Sequence, residues 1–134
     1  MNIGEAARRS GLTPKMIRHY EHKGLLPAGT RSAGGYREYD EEALGWLRFI
    51  HQARLLGFSL EQIQQLLCLW QDAGRSSAEV KALAGAHMRE LDARLAALTQ
   101  MRDQLARLMD CCAGDDRPTC PILDYLATPD EAAP

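Results

Sequence analysis

Cys111, Cys112 and Cys120 place three of the chain's four thiols within ten positions. Cys112 and Cys120 bracket a polar loop, Ala113–Thr119, long enough to bring both sulfurs to one ion. Thiolates are soft ligands that suit Cu(I) and its heavier relatives. Cys120 directly precedes Pro121, a favoured first helical residue, so it is expected at the N-cap of a short helix whose positive end favours a thiolate. His87 falls mid-helix, and His19, His22 and His51 belong to the N-terminal part. Four-coordinate zinc is therefore undersupplied, and two sulfurs alone favour linear coordination of a monovalent ion. Asp115 and Asp116 offer hard oxygen donors and read as a solvated turn. The competing reading makes Cys111 and Cys112 small apolar residues that close a helical stripe, with Cys120 incidental. Cys68, on the apolar stripe of an earlier helix, reads as core.

The second chemical feature is cationic. The formal charge of the whole chain is -2, but residues 1–60 carry nine Lys and Arg against six Asp and Glu, while residues 61–134 carry seven against twelve. Arg8, Arg9, Lys15, Arg18, Lys23, Arg31 and Arg37 meet only Glu5 and Glu21 within the first 37 residues, a surface on which a polyanion can dock. Catalysis has no comparable support. The chain offers no Ser/His/Asp grouping, no phosphate-cradling glycine loop with lysine and no carboxylate pair in a plausible cleft, so it is not expected to be an enzyme.

The elements that position these residues can be read from punctuation. Residues 3–11 form a short helix closed by Gly11, and Thr13 and Pro14 open a second whose Met16, Ile17 and Tyr20 recur at core-facing spacing. This helix-turn-helix pattern puts Lys15, Arg18 and His19 on the outer face, within reach of a DNA groove. Gly29, Gly34 and Gly35 then break helices, and Tyr36–Tyr39 alternates as a short strand, which predicts a wing bearing Arg31, Tyr36 and Arg37. Asp40 caps a third helix with Leu44, Leu47, Phe49, Ile50 and Leu55 buried, and Gly57 ends it. A capping box at Ser59 and Gln62 opens a fourth, with Ile63, Leu66, Leu67 and Trp70 as its stripe.

After a linker at 72–76, residues 77 to about 110 contain no proline, and Ala84, Leu91, Leu98 and Leu105 recur every seven positions. A helix of that length spans about 50 Å, far more than one small domain covers. Its stripe must be buried elsewhere, most economically on a second copy of the chain in a parallel or antiparallel coiled coil, the alternative being that it folds back onto the third and fourth helices. No apolar run approaches the roughly 20 residues of a membrane span, and no secretory signal pattern opens the chain. A cytoplasmic chain with reduced thiols is expected, without a membrane partner.

Ile3–Ala7, Gly11-Leu12-Thr13, Ile17–Glu21, Lys23–Leu26, Arg31 and Gly35–Tyr39 together resemble the winged-helix domain of the MerR family of transcriptional regulators. The likeness continues through Gln52–Leu60 and Met101–Leu105, and Cys112–Ile122 is similar to the metal loop of the family's copper-responsive branch. The resemblance implies a mainly α fold: a winged helix-turn-helix DNA-binding domain with connecting helices (1–75), a dimerisation helix (76–110) and a metal-binding loop, short helix and tail (111–134). It implies DNA contacts from Lys15, Arg18, Arg31, Tyr36, Arg37 and Arg54, and Cu(I), Ag(I) or Au(I) ligation by Cys112 and Cys120, one ion per chain. Family sensors of zinc, lead and mercury carry a cysteine near the start of the dimerisation helix, where this chain has Ser77, as the monovalent sensors do. An antiparallel coiled coil would then bring Ser77 and Lys81 of one subunit near the metal loop of the other.

The expected function is a homodimeric activator that distorts promoter DNA on binding metal, so that RNA polymerase can engage it. The alternatives are a divalent-metal or redox sensor using Cys111, and a metal-independent DNA-binding dimer with inert thiols.

Overall fold

The computed structural model describes residues 1–27, 30–31, 35 and 37–129. Its elements run α1 (Ile3–Ser10), α2 (Pro14–His22), β1 (Thr30–Arg31), β2 (Arg37–Glu38), α3 (Glu41–Leu55), α4 (Leu60–Gln71), α5 (Ser77–Cys111) and α6 (Pro121–Ala127). The architecture is mainly α, with the helix-turn-helix, wing strands and long helix expected from the sequence. The chain divides into two compact units, Met1–Ala84 and a second from Gly85 onward, with the division inside α5. No helix among the described residues is long and apolar enough to cross a membrane.

Local signals explain the helix boundaries. The Asn2 side chain accepts from the Glu5 amide at 2.9 Å and opens α1. Gly11 closes it at φ 79, where its own amide and that of Leu12 both donate to the Ala7 carbonyl. A Cβ at Gly11 would lie 3.2 Å from His51 Nε2, so conformation and space both call for glycine. Thr13 caps α2 through the Met16 amide, and Asp40 caps α3 through the Ala43 amide at 2.8 Å. At α4 both halves of the capping box form: Ser59 Oγ accepts from the Gln62 amide and Gln62 Oε1 from the Ser59 amide. Ser76, the last residue of the expected linker, accepts from the Glu79 amide and starts α5.

The core of the first unit is built by Ile17, Leu44, Leu47, Ile50 and Ile63, all fully buried. Ala6 and Ala7 let α1 pack against both α2 and α3. β1 and β2 pair antiparallel, with Thr30 opposite Glu38 and Arg31 opposite Arg37.

Several core expectations are corrected. Met16 and Leu55 are exposed, because among the described residues no element covers the sides of α2 and α3 on which they project. Trp70 is also exposed, yet it stacks on Phe49 with ring centroids 4.6 Å apart. Cys68, expected in the core, lies exposed on α4. Along α5, Met88, Leu95, Leu98, Met101 and Leu105 are all more than half exposed, whereas Ala84 and Leu91 of the seven-residue repeat are half-buried and His87 is buried. Exposed apolar side chains along a 35-residue helix offer a surface for a partner to cover.

Candidate DNA interface and metal loop

Lys15, Arg18 and His19 project from α2 on the face opposite the buried Ile17 and Tyr20, all three exposed to solvent. Periodicity alone places them there, and the structure keeps Lys15, Arg18 and His19 on that one exposed face. Arg54 lies near the end of α3, where its Nη1 donates to the Phe58 carbonyl at 3.0 Å. Arg31 is in β1, opposite Arg37. Tyr36 lies outside the described residues.

Arg37 is not a loose surface cation. Its Nε and Nη2 lie 2.7 and 2.6 Å from Glu21 Oε2, while the Tyr39 hydroxyl donates to Glu21 Oε1. Burial, reinforced by that carboxylate, pushes the Tyr39 phenol far above its ordinary pKa. Tyr39 is itself in the core, and its amide donates to the Met1 carbonyl at 2.8 Å. Sequence reading counted Glu21 only as an opposing charge. No local pattern signals a pairing across 16 positions.

In the C-terminal part, Cys112 directly follows α5, its amide donating to the Met109 carbonyl at 3.1 Å. Cys120 occupies the N-cap of α6, as the following proline implied, and makes no side-chain capping bond there. Both thiols are half-buried, whereas Cys111, still helical, is exposed. The loop between them is closed by its own residues: the Arg117 amide and guanidinium donate to Asp115 at 3.0 and 2.8 Å. Those bonds hold the Asp115 carboxyl below the usual carboxylate range. Asp115 is thus engaged in a turn, as a hard oxygen donor beside soft ligands should be. Among the described residues no group of three or more His, Cys, Asp or Glu side chains converges.

Ser77 and Lys81, one helical turn apart in the first unit, line a hollow of about 580 Å³ together with Ala73, Arg75, Val80 and Ala84. Sequence reading missed Arg75, whose guanidinium donates to the Trp70 and Asp72 carbonyls and so adds a second cation to that wall.

The family description "MerR HTH family regulatory protein" matches residues 1–69, and "MerR, DNA binding" matches residues 44–108. The chain belongs to the MerR family. Among its relatives, the heavy metal-dependent transcription regulator 2 of Rhizobium meliloti is 48% identical over 95% of this chain and 86% of that protein. The HTH-type transcriptional regulator CueR of Salmonella typhimurium is 43% identical over 95% of this chain and 92% of its own. The crystal structure of the regulator PbrR691 from Ralstonia metallidurans in complex with lead(II) superposes with a TM-score of 0.83 at 35% identity, covering 95% and 99% of the two chains. A MerR-family chain with this helix-turn-helix is a DNA-binding transcription regulator.

Proposed function

We propose that this chain is a metal-responsive transcriptional activator that binds promoter DNA as a homodimer and senses Cu(I), with Ag(I) or Au(I) as alternatives, one ion per chain. The observation that carries the metal assignment is the pair of half-buried thiols at the ends of one loop, Cys112 after α5 and Cys120 capping α6. Likeness to a heavy metal-dependent regulator and to CueR supports it. The functional division is winged-helix domain 1–75, dimerisation helix 76–110 and metal loop, short helix and tail 111–134. Lys15, Arg18, His19, Arg31, Tyr36, Arg37 and Arg54 form the DNA-binding set, and the protein acts in the cytoplasm.

A monovalent ion held by two thiolates leaves a net charge of about -1, which a cation in a dry surrounding stabilises. Lys81 would supply it and Ser77 a hydroxyl in place of a third thiolate, both from the partner protomer of an antiparallel dimer. The metal-bound dimer then favours a distorted promoter that RNA polymerase can engage. Bending a site of 20–30 base pairs costs on the order of 1–6 kcal/mol, within reach of a tight thiolate site. The ion acts only through its differential affinity for the two DNA-bound states.

The deciding experiment is an anaerobic titration of the dimer with Cu(I) against a competing chelator, repeated with Zn(II). One tightly bound Cu(I) per chain, lost in the Cys112→Ser, Cys120→Ser variant and unmatched by zinc, is the expected result. Binding that survives both substitutions sinks the assignment.

A further inference from the structure

Within the first 37 residues, where basic side chains dominate, Glu5 and Glu21 are the only acidic ones, and they differ in placement. Glu5 is exposed in part and pairs loosely with Arg8 at 4.0 Å. The Glu21 side chain is only 13% exposed, at the end of the helix whose outer face carries Lys15, Arg18 and His19. A carboxylate beside a phosphate-binding surface opposes binding. Its oxygens are nevertheless both engaged, one by two nitrogens of Arg37 and the other by the Tyr39 hydroxyl.

The partners explain why such a carboxylate belongs there. β2 is two residues long and pairs only with the two residues of β1, a ribbon too short to hold its own orientation. β2 and the residue after it are held by the Glu21 contacts from α2 and by Met1, whose terminal ammonium donates to Glu38 Oε2 at 3.2 Å and to the Tyr39 carbonyl at 2.7 Å and whose carbonyl accepts from the Tyr39 amide. Arg37 lies within β2 and Tyr39 immediately after it, so one carboxylate grips the strand at two points on the same face. Charge-assisted bonds of this kind, mostly out of water, are short and directional. The Arg37 charge is meanwhile balanced by Glu21 in the free protein, so its proposed contact with DNA is one of position and hydrogen bonding more than of net charge.

We infer that Glu21 is a specificity-determining positioning residue: it locks β2 against α2 through Arg37 and Tyr39 while cancelling the charge of Arg37. The interface then discriminates among duplexes by the fixed relation of helix and wing instead of by net charge. The inference rests on the DNA-binding reading.

Two quantities test it. One is the affinity ratio between a duplex of about 30 base pairs enriched from a random pool by the wild-type chain and the unselected pool. The other is the slope of log affinity against log salt on the pool. Glu21→Gln keeps the shape and removes the charge. Loss of the Glu21 charge leaves the interface one unit more positive, which is expected to tighten binding to pool DNA and steepen the slope by up to about 0.9 per protomer. The affinity ratio should fall on the order of tenfold, about 1.4 kcal/mol. Glu21→Asp retains the charge with a shorter reach, so the slope stays at the wild-type value while the ratio drops. Tyr39→Phe keeps the ion pair and should also lower the ratio without moving the slope.

A purely structural Glu21 predicts something else: weaker binding to both DNAs, a lower melting temperature and an unchanged slope in Glu21→Gln. That result overturns the inference, as does wild-type behaviour on both measures. Should Glu21→Gln fail to fold, Tyr39→Phe decides, and a wild-type ratio there overturns it. Failure of the wild-type chain to enrich any duplex sinks the DNA-binding reading and the inference together, which separates it from failure of the variants alone.

Discussion

Tyr39 shows how one residue ties the core to the wing. Its ring is buried among the helices while its hydroxyl reaches Glu21, and both facts raise the pKa of the phenol above the ordinary 10.0. The neutral form is the one the fold holds, so the stabilisation is fully present below about pH 10 and is lost as pH rises through the folded-state value. Of the four tyrosines, Tyr39 is expected to ionise last, together with alkaline unfolding. Phenolate absorbance followed alongside far-ultraviolet circular dichroism checks this, and a Tyr39→Phe protein should lose the final step. The same scale separates the cysteines. Cys112 and Cys120 sit where their neighbours dictate, after a helix and before a proline, whereas Cys68 follows an apolar spacing yet lies exposed. Spacing assigns a residue to a face, and only the neighbouring element decides whether that face is covered.

Helices are bounded here by short-range bonds that each connect residues three or four apart, which is why Thr13, Asp40 and Ser59 are legible as caps. The reciprocal box at Ser59 satisfies two donors at the start of α4. Ser59→Ala is expected to cost about 1 kcal/mol, within the range of measured N-cap removals, and denaturant unfolding measures it. A stability unchanged within error would mean that water serves the Gln62 amide equally well. The wing is the opposite case, because its two-residue strands are tied to residues far away in sequence: Glu21, 16 positions before Arg37, and Met1, whose ammonium donates to Glu38. The α3–α4 pair adds an aromatic contact, Phe49 on Trp70, that a search for fully buried positions overlooks because Trp70 remains partly in water.

For the whole molecule, the proposed dimer and DNA complex rest on the exposed apolar residues of α5 and on the exposed Lys15 and Arg18 of α2. Met88, Leu95, Leu98, Met101 and Leu105 recur on a helix of about 50 Å, and a second copy of the chain is the partner that matches such a repeat. Leu98→Glu is expected to convert the dimer to monomer at micromolar concentration, which sedimentation equilibrium reads directly. A variant that remains dimeric would move the interface off this stripe. Arg18 should behave as a phosphate contact: Arg18→Ala weakens binding to all duplexes and reduces the salt slope by roughly 0.9 per protomer. Loss confined to one duplex, with the slope intact, would make it a base-reading residue instead.

Residue order by itself determined the helix-turn-helix, the caps, the length of α5 and the positions of Cys112 and Cys120, since each depends on neighbours within a few positions. It also carried the family, through motifs spread along most of the chain. Only the tertiary structure decided that Met16, Leu55 and Cys68 stay in water, that Arg75 joins Ser77 and Lys81 around one hollow, and that Glu21 binds Arg37 and Tyr39. The physical reason is common to these cases. Burial and ion pairing depend on which surfaces meet when distant segments pack, and periodicity within a segment carries no information about what lies across from it.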